Sequence, residues 1–492
     1  MLDASARSAH YYAALQARDR RFDGRFVVGV SSTRIYCRPV CAVRTPRPEN
    51  CSFYPSPAAA EEHGFRPCLR CRPELAPGIA PIDATQRYAA AAARLIEQGL
   101  LAHRPIAALA ARLGITDRHL RRVFAERFGV SPIEYAQTQR LLLAKRLLAD
   151  TSLPIIDVAL AAGFGSLRRL NDSVRSRYRL SPSELRCAPA RTAADAARPD
   201  ADRTVALRLA YRPPLDWAAL LDWLAPRCVA GVEAVAGDTY LRSLALAHAG
   251  RRVAGTVRVR ADAARCVLLV EPSASLLPAL PAVLSRLRCL FDLDASPDDI
   301  AAVLGELARA RSGLRVPGAA SGFEGAARAV LEQQASAKAA ARLLARLAGR
   351  FGEPLGPAAT DGLTHLFPTA DAIAAAPVDA IAAIGLPGAR ARALHALARS
   401  AADGRLDLDE VVDIERGLAA LRALPGIGAW TAGYIAMRAW SWPDAFLPDD
   451  LVIRRRFPDL GPRALAEHAA RWSPWRSYAV FHLWAEARAP SA

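Results

Sequence analysis

Between Leu421 and Phe457 the chain reads LRALPGIGAWTAGYIAMRAWSWPDAFLPDDLVIRRRF, and this stretch constrains everything around it. Leu424-Pro425-Gly426-Ile427-Gly428 is a tight turn whose two glycines let the backbone approach a partner without Cβ interference. A helix is expected from about Ala429, and its first, unbonded N–H groups make a ready anion site of the kind that holds a phosphate. It is expected to run through Tyr434 and Met437 towards Trp440, and to break at Ser441-Trp442-Pro443-Asp444. Pro448 then stiffens the approach to two adjacent aspartates, Asp449 and Asp450. Taken singly, Pro-Gly-x-Gly is a common turn and an Asp after Pro is often only a helix cap.

The full array resembles the helix-hairpin-helix DNA glycosylases, and within them the 3-methyladenine type. The resemblance implies that Asp450 is catalytic, with Asp449 its neighbour and cap, and that Gly426 and Gly428 form the hairpin that grips the DNA backbone. It also implies that Trp430, Tyr434 and Trp475, the last within SPWRSYAVFHLW, line the base pocket. On the residues alone, tryptophans are usually core. Trp430 and Tyr434 are nevertheless four apart and share one helix face, and an aromatic face attracts a cationic, alkylated purine and stacks on a flipped base. Gln333-Gln334-Ala335-Ser336 resembles the segment that fills the gap left by that base, with Gln334 as the wedge. Read without the resemblance, Gln334 is an ordinary polar helix residue. Strand-cutting relatives use a lysine in the hairpin helix. That position falls on Trp430, and Lys338 is the only lysine in the segment, so a monofunctional enzyme leaving an abasic site is expected. The resemblance further suggests a monovalent cation on carbonyls of the Arg422–Ile427 turn; the residues themselves do not show it.

The length, 492 residues, suggests three or four domains. A net charge of +17 points to a polyanionic partner, and with Lys145 and Lys338 the only lysines, nearly all of the positive charge is arginine, which suits bidentate phosphate and guanine contacts. No apolar run is long enough to span a bilayer and no export signal stands at the N-terminus, so a reducing cytoplasm and a metal site are expected rather than a disulfide framework.

Four of the nine cysteines stand as Cys37-Arg38-Pro39-Val40-Cys41 and Cys68-Leu69-Arg70-Cys71. Two short-spaced thiol pairs fit a tetrahedral all-sulfur site, one zinc per chain, and such patterns are usually structural. The surrounding FVVGVSSTRIYCRPVC and ENCSFYPSPAAAEEHGFRPCLRCRPE closely resemble the amino-terminal domain of the adaptive-response Ada proteins. That resemblance implies that Cys37 accepts a methyl group from a DNA methyl phosphotriester while Cys41, Cys68 and Cys71 support the metal. A metal-held thiolate is the nucleophilic form. Methylation would take a four-thiolate zinc site from net −2 to net −1 and so favour approach to DNA. Ada proteins often end in a second methyltransferase domain with a Pro-Cys-His-Arg run. None occurs here, and O6-methylguanine repair is not expected.

Residues 82–188 repeat at an offset of about 50. Ile106 to Pro132 and Ile155 to Pro182 each hold an alanine-rich helix, a turn with Gly114 or Gly163, and a second helix with apolar spacing of three and four. The apolar rows are Leu120, Val123, Phe124, Phe128 and Leu167, Leu170, Val174, Tyr178, joined by a long helix with Leu141, Ala144, Leu147 and Leu148 on one side. A plain helical bundle shares such patterning. The arrangement resembles the AraC-type regulators, with Arg118, Arg121 and Arg122 on the first recognition helix and Arg168 and Arg169 on the second. Residues 189–203 have no core pattern and are expected to be a linker. From Val205 to about Arg311, VALRLAYR, TVRVRAD and CVLLVEP suggest strands, with helices at Trp217–Leu224 and Leu276–Leu287. This part resembles the glycosylase amino-terminal subdomain.

The expected architecture is multidomain: a small α/β zinc domain (1–78), an all-α tandem helix-turn-helix domain (82–188), an α+β subdomain (204–311) and an all-α helix-hairpin-helix domain (312–492). The expected function joins methyl acceptance, transcription activation and excision of alkylated bases. The alternatives are a regulator whose glycosylase half only binds damaged DNA, and a repair enzyme whose helix-turn-helix repeat binds DNA non-specifically. Expected partners are alkylated and promoter double-stranded DNA and RNA polymerase, with no membrane, for a bacterial cytoplasmic monomer that joins the nucleoid when bound to DNA.

Overall fold

The computed structural model describes residues 4–78, 84–186, 205–356 and 359–487, so the expected linker, 189–203, lies outside the described residues. Two compact units divide the chain. One takes Met1–Arg212 with Leu246–Val253 and Val267–Ser285; the other takes Pro213–Ala245, Ala254–Cys266 and Arg286–Ala492.

In the first unit the helix Ala4–Ala17 precedes a four-stranded sheet of order β3-β1-β2-β4, where β1 is Val27–Val30, β2 Ile35–Cys37, β3 Cys51–Tyr54 and β4 Arg66–Pro67. β1 runs antiparallel to β2 and β3, and β2 parallel to β4. The register Val28↔Cys37 places the first thiol at a buried strand end, and Leu15, Val28, Cys37, Cys41 and Cys68 form one core cluster. Two helix-turn-helix pairs follow: Ile106–Arg112 with Asp117–Phe128, and Ile155–Ala161 with Leu167–Tyr178. Thr116 and Ser166 cap the second helix of each pair by accepting from His119 N and Arg169 N. The joining helix Pro132–Asp150 opens with a Ser131/Glu134 capping box and buries Leu141, Ala144, Leu147 and Leu148 as expected. Of the two apolar rows, Phe128 is half-buried, and Leu167, the first residue of its helix, is exposed rather than buried.

Two buried polar joints tie the thiol segment to the joining helix. Glu61, on the Pro57–Glu62 helix, accepts from Tyr36 Oη (3.1 Å), Thr138 Oγ1 (3.0 Å) and Tyr178 Oη (3.3 Å). Arg72, next to Cys71, forks onto Asp150 at 2.6 and 2.9 Å and onto Glu74, which also takes Lys145 Nζ at 2.6 Å.

Residues 205–272 form a five-stranded sheet of order β5-β9-β8-β7-β6: β5 Leu207–Ala210, β6 Glu233–Ala236, β7 Thr239–His248, β8 Arg251–Asp262, β9 Val267–Pro272. The three expected strands are β5, β8 and β9; the β6–β7 hairpin, with Val235↔Tyr240, was not expected. The helix expected over Leu276–Leu287 is instead a 3₁₀ stretch, Ala274–Ala279, followed by the α-helix Leu280–Leu290. Pro278 removes a backbone donor inside the 3₁₀ stretch, and Pro281 stands in the first turn of the α-helix, where the missing N–H would have had no intrahelical partner.

In the second unit, helices from Gly322 onward carry the hairpin stretch. The helix Gly322–Glu332 is anchored by a buried ionic network: Arg242 Nη1 meets Glu233 at 3.0 Å, Arg328 Nε meets Glu324 at 2.9 Å, and Arg242–Glu324 and Arg328–Glu233 close the ring. Groups buried this deeply need such mutual pairing, and the network fixes where that helix ends. Among the described residues no helix is long and apolar enough to cross a membrane.

Candidate functional site

The turn Leu424–Gly428 forms as expected. Gly426 has φ +79°, and a Cβ there would stand 2.8 Å from Ala393 Cβ, so glycine is required on two counts. The helix Ala429–Arg438 begins at Gly428 with no side-chain cap, leaving its first N–H groups open to an anion. Gln333 Nε2 donates to Gly426 O (3.0 Å) and Thr431 Oγ1 (2.8 Å), tying the hairpin to the turn between Gly322–Glu332 and Ala337–Phe351. Gln334 sits in that turn rather than in a helix. It is exposed and held at φ +51°, a left-handed conformation that is uncommon outside glycine.

Asp450 is 8% exposed and is the N-cap of the short helix Leu451–Arg456. Capping was expected of Asp449, which is exposed; the structure gives it to Asp450. Its Oδ1 accepts Val452 N (3.0 Å), Ile453 N (3.2 Å) and Trp484 Nε1 (3.0 Å), and its Oδ2 accepts Trp430 Nε1 (3.0 Å). Four donors on one acceptor-only group fix its rotamer. Trp430 and Tyr434 stack at 5.1 Å with 16° between planes, and Trp484 lies 6.2 Å from Tyr434. Tyr434 Oη donates to Glu332 Oε2 at 2.7 Å and accepts from Arg438 Nη1 at 3.0 Å. Burial, then the nearby Glu332 charge, pushes the phenol up to about 12, so it remains an O–H donor.

Trp475, expected in this pocket, is buried with its ring against Tyr478, whose hydroxyl bonds Asp292 at 2.8 Å. The third ring against Asp450 is Trp484, which the sequence reading missed. A signal was present. Trp484 stands seven residues after Ser477, two helical turns along one face of Arg476–Glu486. Ser477 Oγ bonds Trp442 O (2.7 Å) and receives Ala445 N (3.0 Å), which docks that face on the loop leading to Asp450.

In the other unit the Sγ atoms of Cys37, Cys41, Cys68 and Cys71 all lie within 4.8 Å of one another. Sulfurs on a tetrahedral zinc with bonds of about 2.3 Å stand about 3.8 Å apart, so the donor set and its spacing fit that ion. The Arg38 N–H points at Cys71 Sγ (3.4 Å), and the Arg38 side chain bonds Asp23 and Cys71 O, bracing the ligand loop from outside. On the helix-turn-helix pairs, Arg121 and Arg122 meet Asp117 and Glu126 one turn away at exposed positions, and Arg168 faces Asp172 at 3.8 Å. Such surface pairs are weak. Arg118 and Arg169 are exposed on the same two helices.

Four family models match successive segments of the chain. Residues 10–74 match the family model described as the metal binding domain of Ada, and 109–188 match a helix-turn-helix domain. Residues 206–321 match the AlkA N-terminal domain, and 327–464 the HhH-GPD superfamily base excision DNA repair protein. A probable bifunctional transcriptional activator/DNA repair enzyme AlkA of Mycobacterium tuberculosis is 41% identical over 96% of this chain and 95% of its own length. DNA-3-methyladenine glycosylase 2 of Escherichia coli is 42% identical over 56% of this chain and 95% of its own. The bifunctional transcriptional activator/DNA repair enzyme Ada of Escherichia coli is 36% identical over 28% of this chain and 38% of its own. The chain therefore belongs to the family of bifunctional transcriptional activator/DNA repair proteins in which an Ada-type metal-binding domain and a helix-turn-helix region precede an AlkA-type helix-hairpin-helix glycosylase.

Proposed function

We propose that this protein accepts methyl groups from DNA methyl phosphotriesters on Cys37, activates transcription, and excises alkylated bases of the 3-methyladenine type, leaving an abasic site. The observation that carries the excision reading is Asp450: a buried carboxylate, clamped by two indole N–H groups, beside a stacked Trp430–Tyr434 pair. A cationic purine is already a good leaving group. As the C1′–N bond breaks, its electron pair neutralises the base. Asp450 stabilises the oxocarbenium-like sugar, water adds at C1′ and loses a proton, and no covalent enzyme–DNA link is needed. Trp430 and Tyr434 hold the extruded base by stacking, and Trp475 is kept as a more distant member of the pocket wall. Gln334, exposed on its turn, fills the vacated stack, and Gly426 and Gly428 bring the hairpin amides to a phosphate.

In the other half, Cys41, Cys68, Cys71 and Cys37 would hold one zinc, which keeps the thiols deprotonated at neutral pH. Cys37 sulfur attacks the methyl carbon, the C–O bond breaks, and the phosphate leaves as the ordinary diester anion. Arg118, Arg121, Arg122, Arg168 and Arg169 contact promoter DNA. The assignment further takes 1–78, 82–188, 204–311 and 312–492 as the functional segments, a monovalent cation on the hairpin carbonyls, RNA polymerase as partner, a monomer, and a cytoplasmic location on the nucleoid. Incubation with methylated DNA, scoring released bases and methyl on Cys37 together, tests both halves. Binding without base release would favour a damage-binding regulator instead.

A further inference from the structure

A carboxylate at the C-terminal end of a helix is opposed by the partial negative charge of that end. Glu332 is the last residue of Gly322–Glu332, so its own helix disfavours it there. It is half-buried, and its Oε2 accepts Tyr434 Oη at 2.7 Å. Arg438 Nη1 donates to the same phenol oxygen at 3.0 Å. A guanidinium only donates, so the single phenol proton is committed to Glu332. Arg438 is itself held by Pro317 O, by Gly318 O at 2.9 Å and by the Trp223 ring at 4.3 Å. Among the described residues Glu332 Oε1 takes no hydrogen bond. At the other end of the stacked pair, Asp450 takes the Trp430 indole. The ring seat thus has a carboxylate at each end, and the fixed environment of Asp450 commits only one of them to the sugar.

We infer that Glu332 is a specificity-determining residue of the base site, favouring purines that carry a positive charge over neutral ones. The inference rests on the glycosylase reading above. Alkylation at a purine ring nitrogen puts a positive charge on the ring and makes its exocyclic amino group a stronger donor. Glu332 offers that ring an opposite charge and, through Oε1, an acceptor. The stacked rings serve any purine, so stacking alone cannot make this distinction.

The test uses the full chain loaded with zinc and single-turnover release, at a mildly acidic pH that keeps N1 protonated, from duplexes carrying either 7-methylguanine, cationic under those conditions, or hypoxanthine, a neutral base. Glu332→Gln should lower 7-methylguanine release about tenfold or more, with hypoxanthine release and affinity for an abasic-site duplex within about threefold of wild type. Glu332→Asp, which keeps the charge, should recover most of the loss. Undiminished 7-methylguanine release by Glu332→Gln overturns the inference. So does an equal fall on both bases, or an equal loss in the Gln and Asp variants, since either marks a structural role. Failure of the wild-type chain to release any base would defeat the glycosylase reading itself, a different result from a lost preference in an active enzyme.

Discussion

Trp484 Nε1 and Asp450 Oδ1 are joined at 3.0 Å across 34 residues of sequence, so the last helix of the second unit helps to aim the carboxylate. The two backbone donors from Val452 and Ile453 fix one oxygen only against its own helix. The indoles of Trp484 and Trp430 fix the carboxylate plane from outside that helix. A hydrogen bond to a charged group contributes about 1.5–3 kcal/mol. Trp484→Phe removes the indole N–H donor and, with it, the second ring, while keeping an aromatic face at the site. The expected result is a fall of about tenfold in single-turnover base release with substrate affinity little changed. A variant as active as wild type would show that Trp430 alone suffices to orient Asp450.

Because Asp450 is also a helix N-cap, substitutions there mix stability with chemistry, and the choice of residue sets the proportion. Asn caps about as well as Asp, whereas Ala forfeits about 1 kcal/mol. Asp450→Asn keeps the backbone cap through one oxygen but sets an amide N–H₂ against the Trp430 indole N–H, so it is expected to lose about 1–3 kcal/mol of stability, to lose base release by at least about a hundredfold, and to retain abasic-site binding. Asp450→Ala should lose both activity and stability. Borohydride trapping of a wild-type enzyme–DNA adduct would contradict the monofunctional mechanism.

What the sequence disclosed and what it withheld follow from range. The Gly426 turn, the helix after it and the helix-turn-helix caps are local, set by residues a few positions apart, and they stand where periodicity and turn chemistry put them. The Cys37 to Cys71 cluster was legible because metal geometry dictates its own spacing. The bond from Trp484 to Asp450 was not, since it depends on how the Arg476–Glu486 helix docks on the Trp442–Ala445 loop. The capping role likewise moved one residue, from Asp449 to Asp450, which closes a turn by donating its N–H to Leu447 O at 3.0 Å and then begins the helix. The β6–β7 hairpin escaped because β7 is buried almost continuously in its first half and lacks alternation.

At the metal-binding end, Cys37→Ser removes the acceptor sulfur and leaves three thiols. Methyl transfer from a methyl phosphotriester duplex should vanish, followed as label on protein, while the chain still binds zinc with lower affinity. Persistent transfer would move the acceptor to another cysteine. In wild type, methylation should tighten binding to promoter DNA in a gel shift and change its salt dependence. Equal affinity before and after would remove the charge-relief argument, though not the transfer itself.

Glu61 gives the first unit a pH dependence of defined sign. Burial pushes its carboxyl up to about 7, with Thr138, Tyr36, Arg177 and Tyr178 partly offsetting that effect. A carboxyl raised in the folded state contributes its stability fully below the unfolded value near 4.5 and loses it as pH climbs through 7. The span corresponds to about 3 kcal/mol. The expected signature is weaker protection of β2 and of the Pro132–Asp150 helix at pH 8 than at pH 5, read by hydrogen exchange after correction for intrinsic rates. Glu61→Gln cannot ionise, and its protection should be nearly flat over the same window. Parallel wild-type and variant profiles would mean that Glu61 keeps one protonation state throughout, with Arg177, 3.9 Å away, supplying more compensation than its partly exposed position implies.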